Sequence, residues 1–330
     1  MIIEIVFGTP QPKETTQLIT LLGKATDKLC QIYISDTSSG NVEKWASDQS
    51  EAVRFEWEKA LAASLKVRAK YKISPIRVDL SVAVSDWGND PAILCLSDAV
   101  DLVNRPKSIY VENARNDRKF LLTIVDENLR ARVLDMESRS QLQFSHGGGI
   151  DELTKLLEEH VKRFPLTSMT SLAFFDGDAP SPNNPQASAI KLSTLCQSNG
   201  INFHCLARRA IENYIPLEKI REWSDRSGSK CDLEKVNVFT KLSPSHRNHF
   251  HMKNGLDNQA CKRSSSDYNL PKDELAIIAK GFGGISKLYP DDGAEPDGSR
   301  SMHKLMKDEG TLNEFTELME NLKKIIEVPE

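Results

Sequence analysis

The sequence predicts an α/β protein whose central part is a parallel sheet with helices on both faces. Two observations carry that expectation. Short β-rich runs recur along the chain, and stretches with helical apolar spacing stand between them. A third concerns placement: acidic residues and glycines cluster at the carboxyl ends of the strands of the middle segment, where open parallel sheets build their sites.

In chain order, IIEIVF at 2–7 reads as a strand closed by Gly8 and prolines, followed by a helix over 15–27 and the strand QIYIS at 31–35. The polar, Ser-rich stretch 36–49 reads as a loop. A helix is expected over 50–70 because Val53, Trp57, Leu61 and Leu65 recur every four residues. IRVDLSVAVS at 76–85 alternates as a half-buried strand. Asn104-Arg105-Pro106 marks a boundary. Beyond it come the strand SIYVE (108–112), a helix over 117–126 and the strand QLQFS (141–145), which runs into His146-Gly147-Gly148-Gly149. An amphipathic helix over 151–164, the apolar strand SLAFF (171–175), a helix over 187–198 and the strand INFHCL complete four strands and three helices, the pattern of a covered parallel sheet. From about 217 the strands stop. Helices are expected over 217–223, 272–280 and 311–326, the last opened by a Thr311-x-x-Glu314 capping box. The domain division expected is 1–105, an αβ unit; 106–218, the sheet; and 219–330, a mainly helical extension.

The 330 residues hold 43 basic against 47 acidic side chains, net −4. No overall basic field exists, which argues against a purely electrostatic nucleic-acid coat but leaves room for a local basic groove. No run approaches about 18 apolar residues, and the first residues lack the basic region and long apolar core of a signal peptide. The expectation is a cytoplasmic protein with no membrane partner. Cys30, Cys95, Cys196, Cys205, Cys231 and Cys261 show no C-x-x-C pairing and no zinc spacing, so they read as small apolar residues.

The chemistry lies at the strand ends. Glu112 ends the first strand of the middle segment, Asp176 and Asp178 end the third, and Glu212 follows the fourth. An acid after a strand is individually most often a turn or cap residue. Several converging on one sheet edge would repel each other unless a cation neutralised them, and an all-oxygen donor set selects Mg²⁺ or Mn²⁺.

These residues carry a resemblance. Val111-Glu112-Asn113 with Asp117 and Phe120, then HGGG at 146–149, then AFFDGDA at 173–179, follow in order the V-E-G, D-x-x-F, glycine turn and D-x-D of a Toprim domain. Arg208-Arg209-Ala210-Ile211-Glu212-Asn213-Tyr214 resembles the R-x-x-E-N-Y element of the branch related to the overcoming-lysogenisation-defect nucleases and to the Toprim effector of PARIS anti-phage systems. The resemblance covers about residues 106–218. Asn113 stands where the family has glycine, residues 1–105 have no counterpart, and no G-x-x-x-x-G-K-[ST] motif is present, so any ATPase would act in trans.

The resemblance implies a Mg²⁺- or Mn²⁺-dependent endonuclease of DNA or RNA, an anti-phage effector controlled by a regulatory or ATPase partner, and it leaves a homodimer open. Asp176 and Asp178 would hold metal, Glu112 would hold metal or act as general base, and Glu212 would complete a second metal site. Gly147, Gly148 and Gly149 would offer backbone N–H groups to a phosphate, alongside Arg208 and Arg209. Residues 241–263 hold Lys241, Arg247, Lys253, Lys262 and Arg263 against Asp257, with His246, His249 and His251, a candidate phosphate-tracking surface or a solvated charged face. The competing reading is a Toprim-like module that binds a partner without catalysis. A primase or topoisomerase relative ranks below both.

Overall fold

The β-rich runs that begin at Ile2 and Ser171 each become part of a separate parallel sheet. In the computed structural model, which describes residues 1–6, 12–27, 29–34, 39–70, 76–256, 268–293 and 301–326, the chain gathers into two units. One comprises Met1–Lys107 with Glu137–Gln141 and Leu322–Glu330; the other comprises Ser108–Met136 with Leu142–Asn321.

The first unit contains β1 (Ile2–Val6), α1 (Pro12–Thr26), β2 (Gln31–Ile34), α2 (Ser39–Ser47), α3 (Glu51–Lys70), β3 (Ile76–Asp79), β4 (Ala92–Leu94) and α4 (Leu96–Asn104). The strands order as β2-β1-β3-β4, and each neighbouring pair is parallel. Ile3 and Ile5 of the central strand are fully buried, with Leu18 and Leu21 of α1. Three expectations change here. The Ser-rich stretch contains a helix, because Trp45 of α2 is buried edge-on against Trp57 of α3 with ring centroids 5.1 Å apart. The alternating run at 76–85 is a strand only over Ile76–Asp79; Asp79 Oδ1 then accepts from the Ser81 N–H at 2.8 Å, an Asx turn that ends it. The strand β4 and the helix α4 were not expected. The side chains of Leu61 and Leu65 lie outside the described residues.

The second sheet is built from β5 (Lys107–Val111), β6 (Leu142–His146), β7 (Ser171–Phe175) and β8 (Asn202–Cys205). Its order is β6-β5-β7-β8, all parallel. Between the strands run α5 (Ala114–Ile124), α6 (Glu127–Ser138), α7 (Ile150–Arg163) and α8 (Ala187–Ser198). The described residues beyond β8 hold helices and no named strand, as expected: α9 (Leu217–Ser227), α10 (Lys230–Lys241), α11 (Pro244–Asn248), α12 (Lys272–Ile277), α13 (Met302–Asp308) and α14 (Thr316–Ile326). Residues 219–321 belong to the same compact unit as this sheet.

Both central strands, β5 and β7, are buried at every residue, as parallel strands covered on two faces should be. Period-two alternation divides their side chains. Tyr110, Ala173 and Phe175 pack with Leu153 and Leu157 of α7 and Leu192 and Cys196 of α8. On the other face Phe174 stacks on Phe120 of α5 at 5.7 Å, and Phe120 also meets Tyr214, Tyr289 and Phe315 at 5.5, 5.2 and 5.6 Å. These two layers fix the ends of β5 and β7 side by side.

The expected capping box is absent. The regular helix α14 starts only at Thr316, after a 3₁₀ turn over Thr311–Phe315. The Thr311 hydroxyl donates to Met306 O at 2.7 Å, and Glu314 accepts from Ala207 N at 2.9 Å and from the Tyr214 hydroxyl at 2.6 Å. Two donors beyond β8, the exposed Ala207 N–H and the hydroxyl of the buried Tyr214, outcompete a local cap. Among the described residues no helix is long and apolar enough to cross a membrane.

Candidate functional site: a carboxylate cluster at the strand ends

Two acids of the cluster, Glu112 and Asp176, are positioned by backbone they do not themselves provide. Glu112, directly after β5, accepts from Asp176 N through Oε1 at 2.9 Å, which ties the end of β5 to the end of β7. Asp176 in turn accepts from Ile211 N through Oδ1 at 3.2 Å. Gly177 is required where it stands, since a Cβ there would lie 2.8 Å from Leu206 O. Asp178 takes a left-handed backbone, φ 46°, and its N–H donates to Arg209 O at 2.9 Å.

Asn113, the departure from the family glycine, is the N-cap of α5. Its backbone is extended, φ −130°, so no left-handed conformation is needed. Its side chain accepts from Arg115 N and Asn116 N at 3.1 and 3.0 Å, while its own N–H donates to Asp117 Oδ2 at 2.8 Å. Asn113→Ala is expected to cost about 1 kcal/mol through the lost cap, and thermal denaturation should register it as a melting temperature about 2–4 °C lower. Asn113→Gly should cost only a few tenths of that energy.

Asp117 joins the site although the sequence reading assigned it no role there. It is 6% exposed, on the first turn of α5. The signal was available: Asp117 shares a helical stripe with Phe120, Leu121 and Ile124, all fully buried, and an acid on an apolar stripe is not a surface acid.

Glu212 sits in the 3₁₀ turn Ile211–Tyr214, whose other groups are tightly bonded. Asn213 accepts from Ala210 N and donates to Arg247 O and Phe250 O; Tyr289 donates to Ile211 O at 2.7 Å; the Tyr214 hydroxyl accepts from Arg208 N and donates to Glu314. Within this locked turn the Glu212 carboxylate is 1% exposed and accepts no hydrogen bond at either oxygen. Lys253 Nζ stands 3.1 Å from its Oε1 as an ion pair, from a side chain more than half exposed (57%).

The electrostatics follow from this crowding. Burial first, then Asp117, pushes the Glu112 carboxyl up to about 7. Burial also pushes Asp117 up to about 7, opposed by the Asn113 N–H and reinforced by Glu212. Asp176 is raised well above the carboxylate range by burial and then by Glu112, Asp117, Glu212 and Asp178 in that order. Burial works against the Lys253 ammonium, but Glu212, Asp176 and Asp117 together hold it above the ordinary lysine range. Five acids thus share one field with one lysine.

The remaining expected site residues divide. The Gly147–Gly149 turn follows the edge strand β6 and leads into α7, with Gly148 and Gly149 at φ 81° and 141°. A Cβ at Gly147 would lie 2.3 Å from Leu153 N, so this turn is also a close backbone packing point. Arg209 is 4% exposed and therefore offers no surface charge. Arg208 lies over the Tyr214 ring at 4.7 Å. The basic window is not one surface: Lys241 pairs with Glu274 at 2.6 Å, Arg247 donates to Thr240 O and Leu242 O at the end of α10, and Lys253 serves Glu212. His249 is buried with Nδ1 2.9 Å from Ala179 O, and His246 packs on Tyr268. Asp257, Cys261, Lys262 and Arg263 lie outside the described residues.

The donor set is carboxylate oxygen throughout, and the buried, unbonded Glu212 carboxylate fits a hard divalent cation in kind. Among the described residues, no three His, Cys, Asp or Glu side chains are placed to hold one ion together, so binding would require them to draw in. Comparison with protein-family models, with curated proteins and with solved structures gives no match.

Proposed function

We propose that this chain is a divalent-cation-dependent phosphodiesterase that cleaves nucleic acid, with Glu112, Asp176, Asp178 and Glu212 as the metal-holding set and Asp117 added to it. The observation that carries this reading is the cluster of acids sharing one field at the ends of β5 and β7 and in the 211–214 turn, with Asp117 and Glu212 buried and Glu112, Asp176 and Asp178 half-buried. Such uncompensated burial is unfavourable for folding and is characteristic of a functional centre.

When bound, Mg²⁺ or Mn²⁺ supplies charge stabilisation to the attacking and leaving oxygens of the phosphodiester. Asp176 and Glu212 present carboxyl oxygens that a divalent cation would take over, from a proton at Asp176 and from Lys253 at Glu212. Glu112, with a carboxyl at about 7, is suited to take a proton from an attacking water near neutral pH. Lys253, half in solvent, neutralises Glu212 and can give up that place. The order of motifs that resembles the Toprim nucleases, and the anti-phage role with a partner supplied in trans, belong to this proposal too.

A second reading, a partner-binding module without catalysis, has one specific observation in its favour: the acids are not gathered around a point, and Lys253 already balances Glu212. The test is cleavage of plasmid DNA, single-stranded DNA and tRNA in Mg²⁺, in Mn²⁺ and in chelator, with Glu212→Gln as the control. Metal-dependent cleavage lost in Glu212→Gln supports the phosphodiesterase. No cleavage of any substrate, together with no Mg²⁺-induced rise in melting temperature, would establish the non-catalytic module.

A further inference from the structure

Glu212 forms part of a second feature, a cavity of about 460 Å³ between the 211–214 turn and helices α9, α10 and α11. That volume lies in the range of small-molecule sites, about 300–1,000 Å³. Its lining combines polar side chains, Arg208, Arg247 and Asn213, with apolar ones, Ile220, Phe239 and Met252.

Both arginines are held in place from one end. Arg208 donates through Nη1 to Asn213 O at 2.6 Å and rests on the Tyr214 ring; Arg247 donates through Nη1 to Thr240 O at 3.2 Å and to Leu242 O. A guanidinium has five N–H donors in a planar fork, so each keeps donors for a ligand. Glu309, also in the lining, is engaged by Leu217 N at 3.3 Å and attracted by both arginines. With Glu212 balanced by Lys253, the cavity retains one positive charge in excess. A bare anion would use the arginines and leave the apolar side chains idle; a ligand joining a phosphate to a flat aromatic base uses both.

We propose that this cavity binds a nucleoside monophosphate unit, its phosphate taken by Arg208 and Arg247 and its base laid against Ile220, Phe239 and Met252, adjoining Glu212. The inference deepens the phosphodiesterase reading and rests on it for the link to a nucleic-acid strand. The unit is either a nucleotide flanking the cleaved bond or a free nucleotide, and both present the same chemistry.

The test is equilibrium binding to the full chain in chelator, where no cleavage occurs, using AMP, UMP, inorganic phosphate, adenosine and a short single-stranded oligonucleotide. AMP or UMP should bind at least about tenfold tighter than phosphate or adenosine, since each of those uses one part of the lining only. Arg247→Met should weaken nucleotide binding at least about tenfold. Leu217→Trp, at the partly exposed mouth, should do the same by filling the space with both arginines intact, and it decides the matter if Arg247→Met fails to fold. An oligonucleotide that competes with AMP and binds more tightly identifies the strand as the source; AMP binding without competition identifies the free nucleotide. Phosphate binding as well as AMP, or nucleotide binding unchanged in both folded variants, would overturn the proposal. Cleavage without nucleotide binding would remove the pocket and leave the phosphodiesterase; nucleotide binding without cleavage would do the reverse.

Discussion

Asp176→Ala should lose cation-dependent cleavage by at least about a thousandfold while melting at a higher temperature than the parent in chelator at pH 8. The rate follows from removing one ligand of a charge clamp that supplies several kcal/mol to the transition state, each 1.36 kcal/mol being about tenfold. The stability change has the opposite sign to most core substitutions. Asp176 is the acid on which Glu112, Asp117, Glu212 and Asp178 all press, so its removal relieves repulsion at four positions. Glu112 keeps its bond because it accepts from the Asp176 backbone N–H, which alanine retains. What is lost is the acceptor for Ile211 N, a single bond at 3.2 Å, worth about 1 kcal/mol. Asp176→Asn retains an acceptor oxygen and should be more stable still. At pH 5, where Glu112 and Asp117 are largely protonated, the gain should shrink. Cleavage assays and melting curves on the same preparations read both quantities. An Asp176→Ala protein that is destabilised yet active would show that Asp176 is a turn residue and end the phosphodiesterase reading.

The contrast between elements that were legible in the sequence and those that were not has a physical basis. SLAFF became β7 with its expected bounds, and 187–198 became α8, because burial on both faces and an uninterrupted helical run leave one solution each. The helix α5 begins three residues earlier than expected, at Ala114, because Asn113 caps it with side chain and backbone together. Local composition misled where a distant partner decides: Trp57 recruits Trp45 into α2, and Tyr214 and Ala207 take Glu314 away from its cap. The acids at the strand ends were found by placement alone. Asp117 reads in the sequence only as part of D-x-x-F, and its place in the cluster follows from burial on the stripe it shares with Phe120, Leu121 and Ile124. Among the described residues the basic window divided because Arg247, Lys241 and Lys253 found separate acceptors: a helix end, the half-buried Glu274 and the buried Glu212.

In chelator, the melting temperature should fall as pH rises from 5 to 8, and millimolar Mg²⁺ should restore it at pH 8 but not at pH 5. The folded-state carboxyls of Glu112 and Asp117 stand at about 7, above their ordinary values of 4.5 and 3.8, so the folded chain binds protons more tightly than the unfolded one. For groups raised in this way the stabilising contribution is complete below the unfolded value and is lost as pH climbs through about 7. One unit of difference corresponds to about 1.4 kcal/mol, so the loss across this window should reach about 2 kcal/mol or more even if the two groups share their protons. A divalent cation competes with those protons for the same oxygens. Its affinity should therefore weaken as pH falls below 7, and its stabilisation should grow with the logarithm of its concentration at pH 8. Glu212→Gln should reduce the response to Mg²⁺, and Lys253→Met should deepen the fall in chelator by removing the cation paired with Glu212. A flat profile from pH 5 to 8, with no response to Mg²⁺ at either end, would mean that water reaches these acids freely and that they do not form a single centre.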